Sequence, residues 1–197
     1  MAEVGRPVVK ALDQAGLLRP AFLYLRILLS PEGPLLRDLT WGLDDLHAAV
    51  TLPRWQGDLA GTLAAAASGR MEEAPPQWRP GVTVAVAMVA ESYPGPAPEG
   101  QELRGLYEAQ GLIFHQATRL SGGNALPTNP LSSLLRPVSA ASPAGLARPV
   151  LTAGGRVLLV AGHAPTGAAA RRKVYETLAQ IEFTHCAWRN DIAAEIE

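Results

Sequence analysis

Apolar residues fall on two distinct schedules along the 197 residues of this chain. Val82–Ala90 reads Val-Thr-Val-Ala-Val-Ala-Met-Val-Ala, an almost unbroken apolar run of strand length, which predicts a strand buried on both faces. Gly111–Thr118 and Arg156–Ala161, the latter entered through Gly154-Gly155, predict two further strands. Thr166–Phe183 follows the helical schedule instead. Ala170, Val174, Leu178 and Ile181 fall on one stripe, with Arg171, Arg172 and Glu176 off it. Upstream, Arg6–Gln14 predicts a short helix with Pro7 at its first position, Val8, Val9 and Leu12 on one face and Gly16 at its end. Ala21–Ser30 predicts a strand, Pro31-Glu32-Gly33 a turn and Pro34–Leu39 an antiparallel return. Asp58–Ser68 predicts an alanine-rich helix capped by Asp58 and stopped by Gly69.

The breaks between these runs divide the chain. Ala74–Gly81 is rich in proline and reads as a linker, separating residues 1–73 from residues 82–197. Tyr93–Gly100, with three prolines and two glycines, excludes regular structure. Residues 121–148, rich in Ser, Pro, Gly and Ala, read as a disordered insertion. Strands followed by a helix, without βαβ alternation, give the α+β class.

Composition narrows the function classes. Hydrophobic residues make up 48% and charged residues 18%, enough apolar side chain for a core. A net charge of −1 with no basic stripe argues against nucleic acid as a partner. Cys186 is the one cysteine, so no internal disulfide forms. The N-terminal residues lack a signal pattern, and the apolar run Ala21–Leu29 is interrupted by Arg26 and is far short of the roughly 20 residues that span a bilayer. The expectation is a cytoplasmic protein without membrane contact.

Individual residues offer modest chemistry. Gly154-Gly155-Arg156 admits two readings. In one, backbone approaches a ligand and arginine clamps its carboxylate or phosphate; in the other, a tight turn carries an arginine paired with an internal carboxylate. His115 is a candidate for titration near neutrality or a satisfied strand residue. Asp44, Asp45 and His47 are a candidate metal cluster or a loop with a helix cap. Arg189 and Asp191 are expected to hold the C-terminus on its domain, Trp188 to anchor the core, and Cys186 to be an inert thiol.

Several of these segments, in this order, resemble the phosphoribosylamine–glycine ligase family. Ser92-Tyr93-Pro94-Gly95 matches its Gly-Tyr-Pro-Gly turn. Ile113-Phe114-His115-Gln116-Ala117-Thr118 matches a Val-Phe-His-Ala-Gly-Thr segment. Gly154–Leu158 reproduces its Gly-Gly-Arg-Val-Leu corner, and Arg189–Ala193 its closing Arg-x-Asp-Ile-Gly without the glycine. Arg6-Pro7, Phe22-Leu23-Tyr24, Pro53-Arg54 and Asp58-Leu59 resemble the end of the family's ATP-grasp domain.

The resemblance implies an ATP-grasp C-terminal remnant followed by a small mixed strand and helix domain. It implies a ligase of purine biosynthesis that joins glycine to 5-phosphoribosylamine with ATP and Mg²⁺, with Gly154, Gly155 and Arg156 as its cofactor-contacting corner. The family's metal-binding stretch, Glu-Phe-Asn-x-Arg-Phe-Gly-Asp-Pro-Glu, corresponds to Asp38–His47. Asp38 and Thr40 then stand where Glu and Asn coordinate Mg²⁺ on the ATP phosphates, and Gly42 stands where arginine does. The resemblance places the N-terminal domain and the lysine-bearing ATP lid ahead of residue 1. The chain is therefore expected to be inactive alone. It is expected to act as a truncated ligase, a non-catalytic subunit docking on a protein partner, or one half of a ligase completed in trans by the missing N-terminal half.

Overall fold

The computed structural model describes residues 2–121 and 148–196, so the insertion read at 121–148 lies, but for its two ends, outside the described residues. The chain forms two compact units, Met1–Pro80 and Gly81–Glu197, each described by itself.

The first unit opens with helix α1, Ala2–Gln14. It starts one turn earlier than expected, so Pro7 lies inside the helix rather than at its first position. Ala2 and Glu3 are good helix formers, and Pro7 forgoes a single bond four residues back. Strands β1, Leu23–Ser30, and β2, Gly33–Trp41, form an antiparallel ribbon. Its turn is pinned where the Ser30 hydroxyl donates to the Gly33 carbonyl at 2.8 Å. The register slips between Arg26 and Ile27, so that Arg37 becomes an extra residue on β2. Helix α2, Asp45–Thr51, follows; then β3, Trp55–Gln56; then α3, Leu59–Ala67, whose N-cap Asp58 accepts from the Gly61 N–H at 3.0 Å. The proline-rich stretch read as a linker contains a strand, β4, Gln77–Trp78, which pairs with β3 and sets Trp78 edge-on to Trp55 with ring centroids 5.0 Å apart. Edge-to-face aromatic packing gives this short pairing a hold that its two residues of ladder cannot.

The second unit is built around one sheet. Strands β5, Val82–Ala90; β6, Leu112–His115; β9, Arg156–Ala164; and β10, Cys186–Ala187, lie in the order β10-β5-β9-β6, with every pair antiparallel. A smaller pair, β7, Thr118–Leu120, with β8, Val150–Thr152, stands beside it. Helix α4, Gly167–Leu178, is capped by Thr166, whose hydroxyl accepts from the Ala169 N–H. Its stripe is seated as the spacing predicts: Ala170, Val174 and Leu178 are fully buried, and Ile181 beyond its end is nearly so. This face meets Val84, Val86, Met88, Leu158 and Val160 of β5 and β9 in one core.

The burial of β5 differs from expectation. Val84, Val86, Met88 and Ala90 are buried, while Thr83, Ala85, Ala87 and Val89 are half-buried. Burial on both faces belongs to β9, where all residues from Val157 to Gly162 are buried because strands flank it on each side. Gly162 lets α4 come close. A Cβ there would stand 3.0 Å from both the Ala170 carbonyl oxygen and Val174 Cγ2.

The C-terminal segment is fastened by the helix's outer face. Arg171 donates from Nη2 to the Asn190 carbonyl at 2.7 Å and from Nε to the Ile192 carbonyl at 3.1 Å. The Tyr175 hydroxyl donates to the Arg189 carbonyl at 2.7 Å, and the Arg171 guanidinium lies 4.6 Å from the Tyr175 ring centroid. Arg189 and Asp191 bond to each other on the exposed surface instead of holding the segment to the domain. Trp188 and Cys186 pack against the core, as read for Trp188. No described helix is long and apolar enough to cross a membrane.

Two outcomes are expected from this packing. Gly162→Val should lower stability by about 1–3 kcal/mol, the cost of overfilling a packed interior, and an unchanged urea midpoint would refute the close approach of α4 to β9. Arg171→Ala should cost about 2 kcal/mol through the lost charged hydrogen bonds and should speed amide exchange in residues 188–196. Arg189→Ala should leave both readouts where they are, because an exposed pair contributes little.

Candidate functional site

The glycine corner stands where β8 turns into β9. Ala153 donates to the Ala117 carbonyl at 2.9 Å, and the Gly155 carbonyl accepts from Ala90 at 2.7 Å. These bonds fix the corner to the end of β5 and to the chain between β6 and β7. Neither Gly154 nor Gly155 has a positive φ, so turn conformation does not call for glycine there. Space does. A Cβ on Gly154 would stand 3.0 Å from the Ala117 Cβ, and one on Gly155 would stand 3.1 Å from Cδ2 of Tyr93. The glycines therefore admit Ala117 and the Tyr93-Pro94-Gly95 turn. That turn's loop is held in place from below: the Thr152 hydroxyl accepts from the Gln101 N–H at 3.1 Å and donates to the Pro98 carbonyl at 3.2 Å.

Arg156 opens β9 next to the corner, opposite Val89 at an irregularity in the ladder. It is half-buried. Among the described residues no carboxylate pairs with it, so the internal ion pair of the second sequence reading is not found there. A half-buried guanidinium is able to bind carboxylate or phosphate in a bidentate fork.

His115, at the end of β6, shares a hydrogen bond between Nδ1 and the Thr118 hydroxyl at 2.8 Å. It is a satisfied strand-end residue. Desolvation by its surroundings lowers its pKa from the usual histidine value.

The candidate metal positions belong to the first unit. Asp38 and Thr40 are exposed residues two apart on β2, hence on one face of the ribbon. Asp38 stands across the ladder from Arg26, with Oδ2 3.9 Å from Nη1, and its Oδ1 accepts from the Leu39 N–H at 2.8 Å. Thr40 faces Tyr24. Mg²⁺ requires near-octahedral oxygens at about 2.0–2.1 Å. Here one carboxylate, turned toward a guanidinium and its own backbone, and one hydroxyl stand on an open strand face. These donors do not fit a Mg²⁺ site. Asp44, Asp45 and His47 do not repair it. Asp44 caps α2 by accepting from the His47 N–H at 2.8 Å, and its Oδ1 lies 2.8 Å from His47 Nδ1. The His47 ring is stacked on Tyr24 with centroids 3.5 Å apart. Among the described residues no group of three His, Cys, Asp or Glu side chains is placed to hold a metal ion.

The structure thus leaves the predicted residues in two sets, Asp38 and Thr40 in one unit and Gly154–Arg156 in the other. Arg171 and Tyr175 are the polar residues the sequence reading passed over. Their i, i+4 spacing on the outer face of α4 was the available signal, since it places an arginine beside an aromatic ring.

The histidine supplies a pH test. Its lowered pKa means the folded chain binds fewer protons than the unfolded one just below the ordinary value of 6.5. Its contribution to stability is full above that value and is lost as pH falls from it through the lower folded-state pKa. Because His115 lies at an exposed strand end, solvent screens most of this effect; His115→Gln should flatten the pH dependence of the urea midpoint only slightly between about pH 7 and pH 5, and a steep change would contradict the exposed position.

Comparison with known proteins places this architecture. Residues 83–195 match the family described as phosphoribosylglycinamide synthetase, C domain. The chain is 25% identical over 196 residues to a phosphoribosylamine–glycine ligase of Brucella melitensis, covering 98% of this chain and 40% of that protein. It is 27% identical over 195 residues to one of Mesorhizobium japonicum, with the same coverage. The crystal structure of the Thermotoga maritima ligase superposes with a TM-score of 0.63 at 26% identity, covering 86% of this chain and 36% of that chain. This chain therefore spans about 40% of the length of the curated relatives it matches. The match over residues 83–195 follows the β5–β9–α4 core and runs through the segment fastened by Arg171, and on it the chain belongs to the phosphoribosylglycinamide synthetase C-domain family.

Proposed function

We infer that this chain is the framing, C-terminal part of a phosphoribosylamine–glycine ligase of purine biosynthesis and does not catalyse the ligation by itself. The family reaction joins glycine to 5-phosphoribosylamine at the expense of ATP. Phosphoryl transfer of this kind depends on metal and cationic groups that neutralise the phosphates. The observation that carries the reading is the state of Asp38, which faces Arg26 and its own backbone on an exposed strand. Thr40 and Gly42 supply neither a charged oxygen nor a guanidinium beside it.

In this reading the first unit descends from the end of an ATP-grasp domain. Support comes from the reach of the likeness: the Thermotoga maritima structure covers 86% of this chain, more than the second unit alone provides. Asp38 and Thr40 are then remnants of a Mg²⁺ pair. Arg156 keeps a role as the fork for an anionic group of substrate, with Gly154 admitting Ala117 and Gly155 the Tyr93 turn that walls the corner.

Two measurements test this. The purified chain with Mg²⁺-ATP, glycine and phosphoribosylamine should release no phosphate above the protein-free control; release at the rate of an intact relative would overturn the reading. Ribose 5-phosphate, as a probe of the corner, should raise the thermal midpoint saturably, and Arg156→Ala should abolish that rise. A rise that survives the substitution would place the anion elsewhere.

A further inference from the structure

One buried residue ties the proline-rich loop Tyr93–Gly100 to the glycine corner. Thr152, the last residue of β8, is 1% exposed and makes four hydrogen bonds to residues 98–101. Its N–H donates to the Gln101 carbonyl at 2.8 Å, and its carbonyl accepts from the Gly100 N–H at 2.8 Å. Its hydroxyl accepts from the Gln101 N–H at 3.1 Å and donates to the Pro98 carbonyl at 3.2 Å. The hydroxyl is thus engaged as donor and as acceptor at once.

Beyond Gln101 the chain stays with β8 through backbone alone. Glu102 stands opposite Leu151, and the Leu103 N–H donates to the Val150 carbonyl at 2.8 Å. Ahead of Gly100 that pairing is blocked, because Pro94, Pro96 and Pro98 have no N–H to give. The Thr152 side chain carries the tie two residues further, to Pro98. At its other end the loop is closed by its own turn, where Tyr93 donates to the Ala90 carbonyl at 2.9 Å and Gly95 to the Ser92 carbonyl at 2.7 Å. Between these ties the loop lies on the corner. A Cβ on Gly155 would stand 3.1 Å from Tyr93 Cδ2 and 3.6 Å from the Ala97 Cβ. The opposite side of the loop is in solvent, with Tyr93 46% exposed, so its seat on Gly155 depends on what holds its ends.

Thr152 also leads directly into the corner. Ala153, Gly154 and Gly155 follow it, and Arg156 opens β9. Resting on the reading of Arg156 as an anion fork, we propose that Thr152 is the positioning residue of that fork. Its hydroxyl seats the loop on Gly155, and the seated loop fixes the corner from which the Arg156 guanidinium reaches a phosphate-bearing ligand. Thr152 itself does not touch the ligand. A guanidinium held in place before the ligand arrives loses less freedom on binding. Without the hydroxyl, the Gln101 N–H and the Pro98 carbonyl lose a buried partner, and the loop is released from the corner.

Calorimetric titration with ribose 5-phosphate, well below the thermal midpoint of each variant, tests this. Thr152→Val keeps the shape and removes the hydroxyl; it should weaken binding about tenfold or more, and Thr152→Ser should restore it to within about threefold of the intact chain. Amide exchange at Gly95, Ala97 and Gly100 should speed in Thr152→Val and not in Thr152→Ser. Gly155→Ala leaves the hydroxyl in place and crowds the Tyr93 ring; it should weaken binding as well. Gly162→Val destabilises the same unit at the helix and should leave the affinity where it is. The proposal is overturned if Thr152→Val or Gly155→Ala binds as the intact chain does, if serine restores no more than valine, or if Gly162→Val costs as much affinity as Thr152→Val. Binding that needs Arg156 but ignores Thr152 sinks this proposal alone. Absence of binding by the intact chain sinks it together with the role given to Arg156.

Discussion

The second unit depends on how closely α4 lies against β9. The contact is made at Gly162, where the absence of a side chain brings the Ala170 carbonyl and Val174 down onto the strand. The apolar side chains at the centre of that face of the sheet are buried against the helix. Val84, Val86 and Met88 from β5, and Leu158 and Val160 from β9, meet Val174 and Leu178 in a single core. Each such side chain contributes on the order of 1.5–3 kcal/mol when fully buried. A helix held further from the sheet would forfeit part of this at every position together, because a radial gap removes contacts along its whole length. The clamp from Arg171 and Tyr175 to residues 189–192 uses the opposite face of the same helix, so the C-terminal segment is positioned by the same contact.

What could be read from the sequence follows from this arrangement. The stripe Ala170, Val174, Leu178 and Ile181 was legible because helical periodicity and burial report the same thing. The strands were legible as apolar runs. Which of them is buried on both faces was not, because that depends on sheet order, and order is set by long-range pairing. The run in β5 is as apolar as that in β9, but β9 has neighbours of several residues on each side. β5 has β9 on one side and a two-residue pairing with β10 on the other. The pairing of Trp55 with Trp78 was hidden for the same reason: it joins residues far apart in the chain through a two-residue ladder that no local pattern announces.

The candidate site separates in a similar way. The Gly154-Gly155 corner was visible as a corner, but the sequence could not say what the glycines admit. They admit protein: Ala117 and the Tyr93 ring. Residues 38–47 were visible as altered chemistry, and the structure shows what the substituted residues do instead. Asp38 answers Arg26, Asp44 caps α2, and His47 stacks on Tyr24. Each is a local stabilising role available to a single polar side chain, and none requires convergence on a shared ligand.

That difference bears on how the two units are held. A core of interlocked side chains constrains many positions jointly, so the second unit keeps a family fold at about a quarter sequence identity. The first unit has no comparable core among its described residues; its elements rest on caps, a ribbon, a cation beside Trp41 and one tryptophan pair. Caps and exposed pairs are worth roughly 1 kcal/mol each. Exposed leucines on the β1–β2 ribbon are then the expected complement of a thin interior. Four leucines that could have thickened that interior, Leu28, Leu29, Leu35 and Leu36, face outward instead.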